Sequence, residues 1–143
     1  MENKKRILKI LTDYCKKIDN TDELSPPAKQ SEIDAFVSLC KDKGVPETAV
    51  KQLVELYQIT RRISIDGFIF YPCDDLILFE WWEDYNALWL ADRDFYIIRW
   101  VDGKFCLGSA AYDSYGDEYE FENLADLLEA AIKEWSGDDE EEL

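Results

Sequence analysis

The sequence predicts an α+β domain in which N-terminal helices precede a mainly antiparallel meander sheet and a C-terminal helix packs on that sheet. Three observations support this fold class. The chain has 143 residues, the length of one domain. Hydrophobic residues make up 47% and aromatic residues 14% of it, which is enough for a packed core and excludes a wholly disordered chain. The apolar residues repeat at helical spacing up to Arg62, at strand spacing after it, and at helical spacing again near the C-terminus.

Residues 3–18 are predicted to form an amphipathic helix. Its apolar residues recur from Ile7 onward at the spacing that places them on one stripe, and lysines occupy most of the remainder. We expect this helix to pack on the domain with its lysines in water, while docking to a membrane surface or to a partner is the alternative. Residues 19–27 predict a linker, because Pro26-Pro27 prevents a helix from running through.

Two further helices follow the linker. The second is predicted to begin near Ser31, whose side chain is a suitable N-cap, and to end at Gly44, which enters the left-handed conformation freely. The third begins at Val45-Pro46, since proline suits the first turn of a helix. Its predicted buried stripe consists of Val50, Leu53, Val54 and Tyr57.

Short apolar runs between turn residues indicate the strands of the sheet. Asp102-Gly103 is a strong hairpin signal, and Asp92-Arg93 is predicted to be a tight turn. Residues 110–117 are predicted to form a loop. Such short connections favour an antiparallel meander over a parallel sheet. The predicted strands cover residues 67–71, 76–82, 87–91, 94–100, 104–109 and 118–121.

The last helix is predicted to start after an Asn123 cap and to carry its apolar stripe as far as Trp135. Ser136-Gly137 ends it, and the acidic residues that follow predict a disordered tail. The sequence therefore divides into an N-terminal helix with its linker, an α+β domain and an acidic disordered tail, at residues 1–24, 25–135 and 136–143.

The charge of the chain is strongly negative and unevenly distributed. Sixteen Lys and Arg residues against 32 Asp and Glu residues give a net charge of −16. Residues 1–62 contain 12 basic and 10 acidic residues, a net of +2, and residues 63–143 contain 4 and 22, a net of −18. Phosphate binding needs a basic footprint, so direct nucleic-acid binding is not expected. A basic partner protein is expected instead, although an acidic half is also typical of a merely solvated surface.

No catalytic or cofactor motif is recognisable in the sequence. The chain has no histidine, which excludes histidine triads, histidine bases and histidine metal ligands. The segment from Asp113 to Glu122 resembles a calcium-binding loop only superficially, because Tyr115 occupies a ligand position. We therefore expect no enzyme activity, no cofactor and no metal. With 32 carboxylates in the chain, an enzyme that acts through a pair of them is the alternative.

Neither a secretory signal peptide nor a membrane span is recognisable, because Lys9 interrupts the first apolar residues and no window approaches ~18 apolar residues. The expected location is the cytoplasm, with no membrane partner. The cysteines are expected to be buried reduced thiols, because they form no CxxC pair. They are Cys15, Cys40, Cys73 and Cys106.

Trp81 and Trp82 precede two carboxylates, Glu83 and Asp84, and make the most suggestive local feature. If they lie in a strand, neighbouring side chains point to opposite faces and one indole faces outward. An exposed indole beside carboxylates suits an interface with a basic partner. The alternative is that a helix covers the second face of the sheet and buries both rings.

Several short motifs occur in an order that matches a known superfamily. They are Ser25-Pro26-Pro27 before Ile33-x-x-Phe36, Val45-Pro46 before Leu56-Tyr57, Leu78-Phe79-Glu80-Trp81, Asp102-Gly103 before Leu107-Gly108, and Phe121-x-x-Leu124-x-x-Leu127-Leu128. Over residues 25–135 the chain resembles the SUKH superfamily, which includes the yeast cell-wall-assembly (glucan synthesis) regulators and many bacterial immunity proteins. It departs from the usual pattern after the second core helix, where Ile59-Thr60-Arg61-Arg62 stands in place of an Asn-Gly pair and Asp66-Gly67 follows a little later.

The resemblance implies a SUKH-like α+β domain that binds proteins and has no catalysis of its own. Its bacterial relatives are similar to antidotes against toxins, often nucleases, and a nuclease carries a basic surface to hold phosphate. An acidic inhibitor matches such a surface and associates fast with it. Predicted exposure in loops and at strand ends, rather than matched family residues, selects the partner-binding residues. They are Asp74, Asp75, Glu83, Asp84, Asp113, Asp117 and Glu118, with Trp82 as the apolar anchor.

A regulatory scaffold like the yeast relatives, binding several cellular proteins, is the alternative that the resemblance leaves open. Toxicity of a neighbouring gene that is expressed without this one distinguishes an antidote from such a scaffold.

Overall fold

The computed structural model describes residues 2–17, 25–65, 67–93, 96–111 and 114–135. It has the predicted α+β class, with helices at the N-terminus, an antiparallel sheet in the middle and a helix at the C-terminus. The helices are α1 (Glu2–Lys17), α2 (Gln30–Lys43), α3 (Glu47–Tyr57), α4 (Trp82–Tyr85) and α5 (Leu124–Trp135), and a 3₁₀ turn covers Leu76–Phe79. The strands are β1 (Ile63–Ile65), β2 (Phe68–Phe70), β3 (Ala87–Arg93), β4 (Tyr96–Val101), β5 (Lys104–Ala111) and β6 (Ser114–Phe121).

The strands form one antiparallel sheet in the order β1-β2-β3-β4-β5-β6, so neighbours in the chain are neighbours in the sheet. This order confirms the predicted meander. The hairpin between β4 and β5 turns at Asp102 and Gly103, whose φ angles of 53° and 83° are the left-handed values that an Asp-Gly turn requires. The hairpin signal in the sequence is therefore confirmed.

The core lies between the helices and one face of the sheet. α1 packs on α3 and α5, and α5 packs on β5 and β6. Tyr57 of α3 joins these layers, because its ring packs edge-on against Phe36 and Phe70 at centroid distances of 5.5 and 6.2 Å. Its hydroxyl donates to the carbonyl of Tyr71 at 2.7 Å. The helical residues of the core include Ile7, Leu11, Tyr14, Ile33, Phe36, Cys40, Val50, Leu53, Leu56, Leu124, Leu127, Leu128 and Ala131.

The second and third helices follow the prediction except at the start of α2. Lys29 is the N-cap there, and Ser31 lies inside the first turn. The Glu32 carboxylate accepts the main-chain N–H of Lys29 at 3.0 Å, the bond by which the third helical residue of a capping box satisfies the N–H of the N-cap residue. Gly44 ends α2 at a φ of 86°, as predicted. In α3 the predicted stripe is buried except for Val54, which is half-buried.

The strand predicted over residues 76–82 is wrong. The 3₁₀ turn and α4 occupy this stretch instead. The carboxylate of Asp75 accepts the main-chain N–H of Ile77 at 3.0 Å and so favours a turn over an extended chain. The adjacent residues Leu78 and Phe79 are both buried. The run is therefore apolar because it packs into the core as a turn, which the spacing of its residues does not distinguish from a buried strand.

The tight turn predicted at Asp92-Arg93 is also wrong. β3 runs through Arg93, and Asp92 pairs with Ile69 of β2 on one side and Ile97 of β4 on the other. Ladder bonds on both sides hold the chain extended at this point. The link to β4, residues 94–95, lies outside the described residues.

Of the loop predicted over residues 110–117, residues 110–111 and 114–117 are strand instead, and residues 112–113 lie outside the described residues. β5 runs to Ala111 and β6 begins at Ser114, with Ala110 opposite Tyr115 in the register. Small residues have weak strand propensity, but main-chain pairing between the two strands overrides it. The sequence pattern also does not predict β1, a strand of three residues that pairs with β2.

Parts of the predicted organisation lie outside the described residues, namely residue 18 of the first helix, residues 19–24 of the linker and the acidic tail at 136–143. The cysteines are reduced, and Cys40, Cys73 and Cys106 are buried, as predicted, while Cys15 is half-buried. Within the described ranges, the helices are too short or too polar to cross a membrane.

Candidate partner-binding surface

The segment between β2 and β3, residues 71–86, contains five of the residues predicted to bind a partner, and we call it the connector. It comprises the 3₁₀ turn and α4, and every charged residue in it is acidic. The predicted site residues that it brings together are Asp74, Asp75, Trp82, Glu83 and Asp84.

Buried contacts hold the connector on the domain. The main-chain N–H of Tyr71 donates to the carbonyl of Leu90 in β3 at 3.0 Å. The buried ring of Phe79 lies 6.5 Å from the ring of Phe36 in α2. At the far end, Asn86 adopts a φ of 58° and closes α4. The connector therefore presents its polar side chains from a backbone that is fixed at both ends and in the middle.

Trp82 is one of these buried contacts. Its side chain is 8% exposed, its indole N–H donates to the carbonyl of Lys43 at 3.0 Å, and its ring lies 6.3 Å from Trp100. The buried alternative is thus correct for this ring, and its predicted exposure as an apolar anchor is wrong. The physical reason is that Trp82 begins a helical turn, so the alternation of a strand does not apply to it.

Two other apolar side chains of the connector are exposed instead. Leu76 is 74% exposed and Tyr85 is 66% exposed. Single exposed apolar residues are ordinary, but two on one short acidic segment indicate a surface suited to binding. Leu76 is the first residue of the 3₁₀ turn and Tyr85 is the last residue of α4, so both lie at the ends of the buried run. A strand over residues 76–82 does not predict their exposure.

Asp74 already has a cationic partner within the chain. The guanidinium of Arg61 donates to both oxygens of the Asp74 carboxylate at 3.1 and 2.9 Å, and to Glu32 at 3.5 Å. The hydrogen bond to Asp74 raises the pKa of Arg61 above its ordinary value. This ion-pair group ties the connector to α2, so the charge of Asp74 is largely compensated before any partner arrives.

Glu83 and Asp75 are also engaged. The ammonium of Lys43 lies 3.2 Å from the Glu83 carboxylate and 5.4 Å from the centroid of the Phe79 ring. Asp75 is engaged through its hydrogen bond to the main chain of Ile77. These two carboxylates therefore have structural roles in the connector.

Glu80 and Asp84 are the uncompensated acids of the connector. Both are exposed, and neither forms an ion pair with another described residue. Glu80 was not among the predicted site residues. Leu76 and Tyr85 are the exposed apolar residues of the same segment, and we call these four residues together the connector patch.

Two of the other predicted acids, Asp117 and Glu118, lie in a different part of the sheet from this patch. Asp113 lies outside the described residues, and only the main chain of Asp117 and Glu118 is described. Both lie in β6, where Asp117 pairs with Gly108 of β5. Two strands, β4 and β5, separate β6 from β3, a distance of roughly 14 Å across the sheet at strand spacing. The predicted site is therefore divided between two places on the molecule.

An aromatic stack adjoins the connector. The rings of Trp81 and Trp89 lie nearly parallel with centroids 4.4 Å apart, and Tyr71 packs edge-on against Trp89 at 6.1 Å. The Tyr71 hydroxyl donates to the Asp92 carboxylate at 2.5 Å. Burial, followed by this hydrogen bond, raises the pKa of Tyr71 well above its ordinary value. Trp81, unlike Trp82, is half-buried and forms the boundary between the connector and β3.

A second concave feature lies away from the connector, between β6 and α5. It is a shallow groove of 580 Å³ lined by Phe121, Asp126, Glu129, Ala130 and Lys133. Arg6 of α1 pairs with Asp126 and Glu129 at 2.8 and 3.2 Å, so the carboxylates at this groove are engaged in holding α1. Across the described residues, no cluster of three or more Cys, Asp or Glu side chains is arranged to hold a metal ion.

Comparison of the chain with models of protein families, with curated proteins and with solved structures found no match.

Proposed function

We propose that this protein is a non-catalytic protein-binding domain whose connector patch binds a basic partner protein. More specifically, we propose a cytoplasmic immunity protein that neutralises a bacterial toxin. The observation that carries the proposal is the exposure of Leu76 and Tyr85 in the same short segment as the uncompensated carboxylates of Glu80 and Asp84. The resemblance of residues 25–135 to the SUKH superfamily supports the choice of a toxin as the partner.

The apolar half of the patch supplies the anchors of the proposed interface. Tyrosine is enriched among the interface residues whose truncation costs about 2 kcal/mol or more, because its ring buries a large area and its hydroxyl finds a partner. Tyr85 lies at the end of α4, which the Trp82 hydrogen bond to Lys43 holds in place. An anchor presented by a fixed backbone loses little conformational entropy on binding.

The charged half of the patch supplies orientation and speed. Residues 63–143, which include the connector, carry a net charge of −18. The negative field of these residues attracts a basic protein and speeds its association. At contact, Glu80 and Asp84 offer charge that no described residue compensates, whereas Asp74 and Glu83 must first give up Arg61 and Lys43. We therefore expect the largest charge effects at Glu80 and Asp84.

A nuclease is the toxin class that fits this chemistry best. Its substrate is a polyanion, so its active face must be basic, and an acidic antidote that covers the face blocks the substrate.

The proposal is tested by co-expression with the toxin-like proteins encoded beside this gene. We expect one of them to stop growth when it is expressed alone, and the wild-type chain to restore growth. Tyr85→Asp combined with Glu80→Lys and Asp84→Lys should abolish the rescue. Asp13→Lys with Glu120→Lys is the matched control, because both residues are exposed acids on α1 and β6, whereas the connector packs on β3 and the end of α2. Rescue by the patch variant equal to that of the control would contradict the proposed surface. A harmless basic partner would favour the regulatory scaffold.

A further inference from the structure

The outer face of α1 has the chemistry opposite to that of the connector patch. α1 contains six basic residues and two acidic ones, a net of +4, whereas the connector contains five acidic and no basic residues, a net of −5. The basic residues of α1 are Lys4, Lys5, Arg6, Lys9, Lys16 and Lys17. One chain therefore carries a basic helix and an acidic segment of nearly equal and opposite charge.

The exposed residues of α1 lie on one side of the helix. Lys5, Leu8, Lys9 and Lys16 fall at i, i+3, i+4 and i+11, a spacing that places them on one face, and all are exposed. The residues Ile7, Leu11 and Tyr14, which pack into the core, lie on the opposite side. Leu8 is 47% exposed, so an apolar side chain lies among lysines here as Leu76 and Tyr85 lie among carboxylates on the connector.

The two faces belong to different parts of the fold. α1 packs on α3 and α5, and Arg6 fastens it to Asp126 and Glu129 of α5. The connector packs on β3 and on the end of α2. Lys5 and Lys16 form no ion pair with another described residue.

We propose that the connector patch of one molecule binds the outer face of α1 of a second copy of this chain. Charge complementarity selects this occupant: an isologous contact between two connector patches would set Glu80 and Asp84 against their own copies, and like charges in contact destabilise an interface. The contact is heterologous, so each molecule offers one donor face and one acceptor face. The inference rests on the proposed function in using the same connector patch, and it implies that the free protein partly covers the surface that its partner needs.

The contact is weak and sensitive to salt. It involves one helix face and a 16-residue segment, so we expect it to bury less than the ~1,200–2,000 Å² of a stable interface. Its ion pairs are exposed, so salt weakens them, and they are largely screened at about 1 M, where the Debye length is about 3 Å. Association is therefore expected at high protein concentration and moderate salt, and its loss is expected at about 1 M.

Sedimentation equilibrium of the full chain tests the proposal. At ionic strength of about 0.1 M, where the Debye length is about 10 Å and screens the repulsion between two chains of net charge −16, the average mass should rise with protein concentration, and at about 1 M it should fall to that of the monomer. Lys5→Glu with Lys16→Glu should weaken association at least tenfold, and Glu80→Lys with Asp84→Lys should do the same. Lys41→Glu with Lys51→Glu, an equal charge change at exposed sites on α2 and α3, should have a smaller effect.

A mixture of the two reversed variants gives the sharpest result. Neither variant should associate alone, but together the exposed α1 face of one variant, changed from +3 to −1, meets the connector patch of the other, changed from −2 to +2, so association should return. A monomer at all concentrations, or association that the α1 reversal leaves unchanged, would overturn the inference. The α1 variant keeps the connector patch intact, so it should still rescue growth in the co-expression assay. One combination of results separates the two proposals. If the connector variant fails to rescue growth, the α1 variant rescues it and the wild type does not self-associate, the proposed function is supported and the proposed self-association is rejected.

Discussion

The indole nitrogen of Trp82 donates to the main-chain carbonyl of Lys43 at 3.0 Å and thereby joins the connector to the end of α2. The ammonium of Lys43 also contacts the connector, since it forms an ion pair with the Glu83 carboxylate. Because the last carbonyls of a helix have no partner inside the helix, the indole satisfies a group that the fold otherwise leaves open. Trp82, which the sequence predicted as an exposed anchor, is therefore a buried residue that holds the connector on α2.

Trp82→Phe tests this support. Phenylalanine keeps an aromatic ring in the core but leaves the Lys43 carbonyl without its donor, and a buried unsatisfied acceptor costs about 1–3 kcal/mol. Urea unfolding should show a loss of this size in the free energy of unfolding. Tyr85→Phe, at an exposed side chain, should change stability by less than about 0.5 kcal/mol. Equal effects of the two substitutions would show that the hydrogen bond contributes nothing.

The side chain of Gln52 in α3, and not that of Asn123 as the sequence predicts, accepts the first main-chain N–H of α5, while the Asn123 amide donates to Asp126. The Gln52 Oε1 accepts the main-chain N–H of Leu124 at 2.7 Å, and its Nε2 donates to the carbonyl of Glu122 at 3.3 Å. Gln52→Ala should cost about 1 kcal/mol, as the loss of a helix cap does. Gln52→Glu keeps an acceptor and adds a charge that suits a helix N-terminus, so it should retain part of the stability. The exposed neighbour Lys51→Ala is the control, and an equal loss in both glutamine variants would contradict the capping role.

The Arg6–Asp126 pair predicts a pH dependence of stability. The hydrogen bond from Arg6 lowers the pKa of Asp126 below its ordinary value. A carboxyl group whose folded pKa is lowered contributes stability above its unfolded pKa of about 3.9 and loses it as pH falls through the folded pKa. Both side chains are more than 40% exposed, so Arg6→Gln should cost only about 0.2–1 kcal/mol at neutral pH.

The difference between wild type and Arg6→Gln should shrink as pH falls from neutrality to below about 4. Urea unfolding at each pH measures it, with the exposed Arg62→Gln as the matched variant. A difference that is the same at both ends of the pH range would contradict the assigned cause.

The buried thiols are predicted to be unreactive in the folded chain. Burial raises the pKa of Cys40 to about 12 and that of Cys73 to about 11, so both stay protonated at pH values where alkylating reagents are used. Cys15 is half-buried and should react first. Mass spectrometry after iodoacetamide treatment should find Cys15 modified in the native protein and all four thiols modified in urea. Modification of Cys40 before Cys15 would contradict this order.

The sequence predicts the fold well where a local pattern is compatible with a single backbone conformation. Gly44 and Asp102-Gly103 adopt the left-handed backbone that their residue types favour. The stripe from Leu124 to Ile132 is long enough that only a helix buries all of it.

The errors occurred where an apolar run is buried on more than one side. The run from Leu76 to Trp82 has no period of its own, because the 3₁₀ turn and α4 bury successive residues in different directions. β5 and β6 extend through small residues because the ladder between them, rather than propensity, holds those residues extended.

The candidate site was predicted in part. The acidic residues before β3 were placed in one segment, but their partners were not predictable, since Arg61 and Lys43 reach Asp74 and Glu83 only through the tertiary fold. The exposed anchors, Leu76 and Tyr85, required the correct local structure. The sequence did not predict Glu80 as a site residue, because the strand predicted over residues 76–82 places it inside a strand and not in a loop or at a strand end.

The most direct test of the account is site-specific photo-crosslinking in cells that make the protein naturally. A photoreactive amino acid at position 85 should form an adduct with a basic protein, and Glu80→Lys with Asp84→Lys should remove that adduct. The same amino acid at position 51, on the exposed face of α3, is the control and should give no adduct with that protein. An adduct that forms from position 51 but not from position 85, or a partner at position 85 that is acidic, would contradict the claim that the connector patch binds a basic protein.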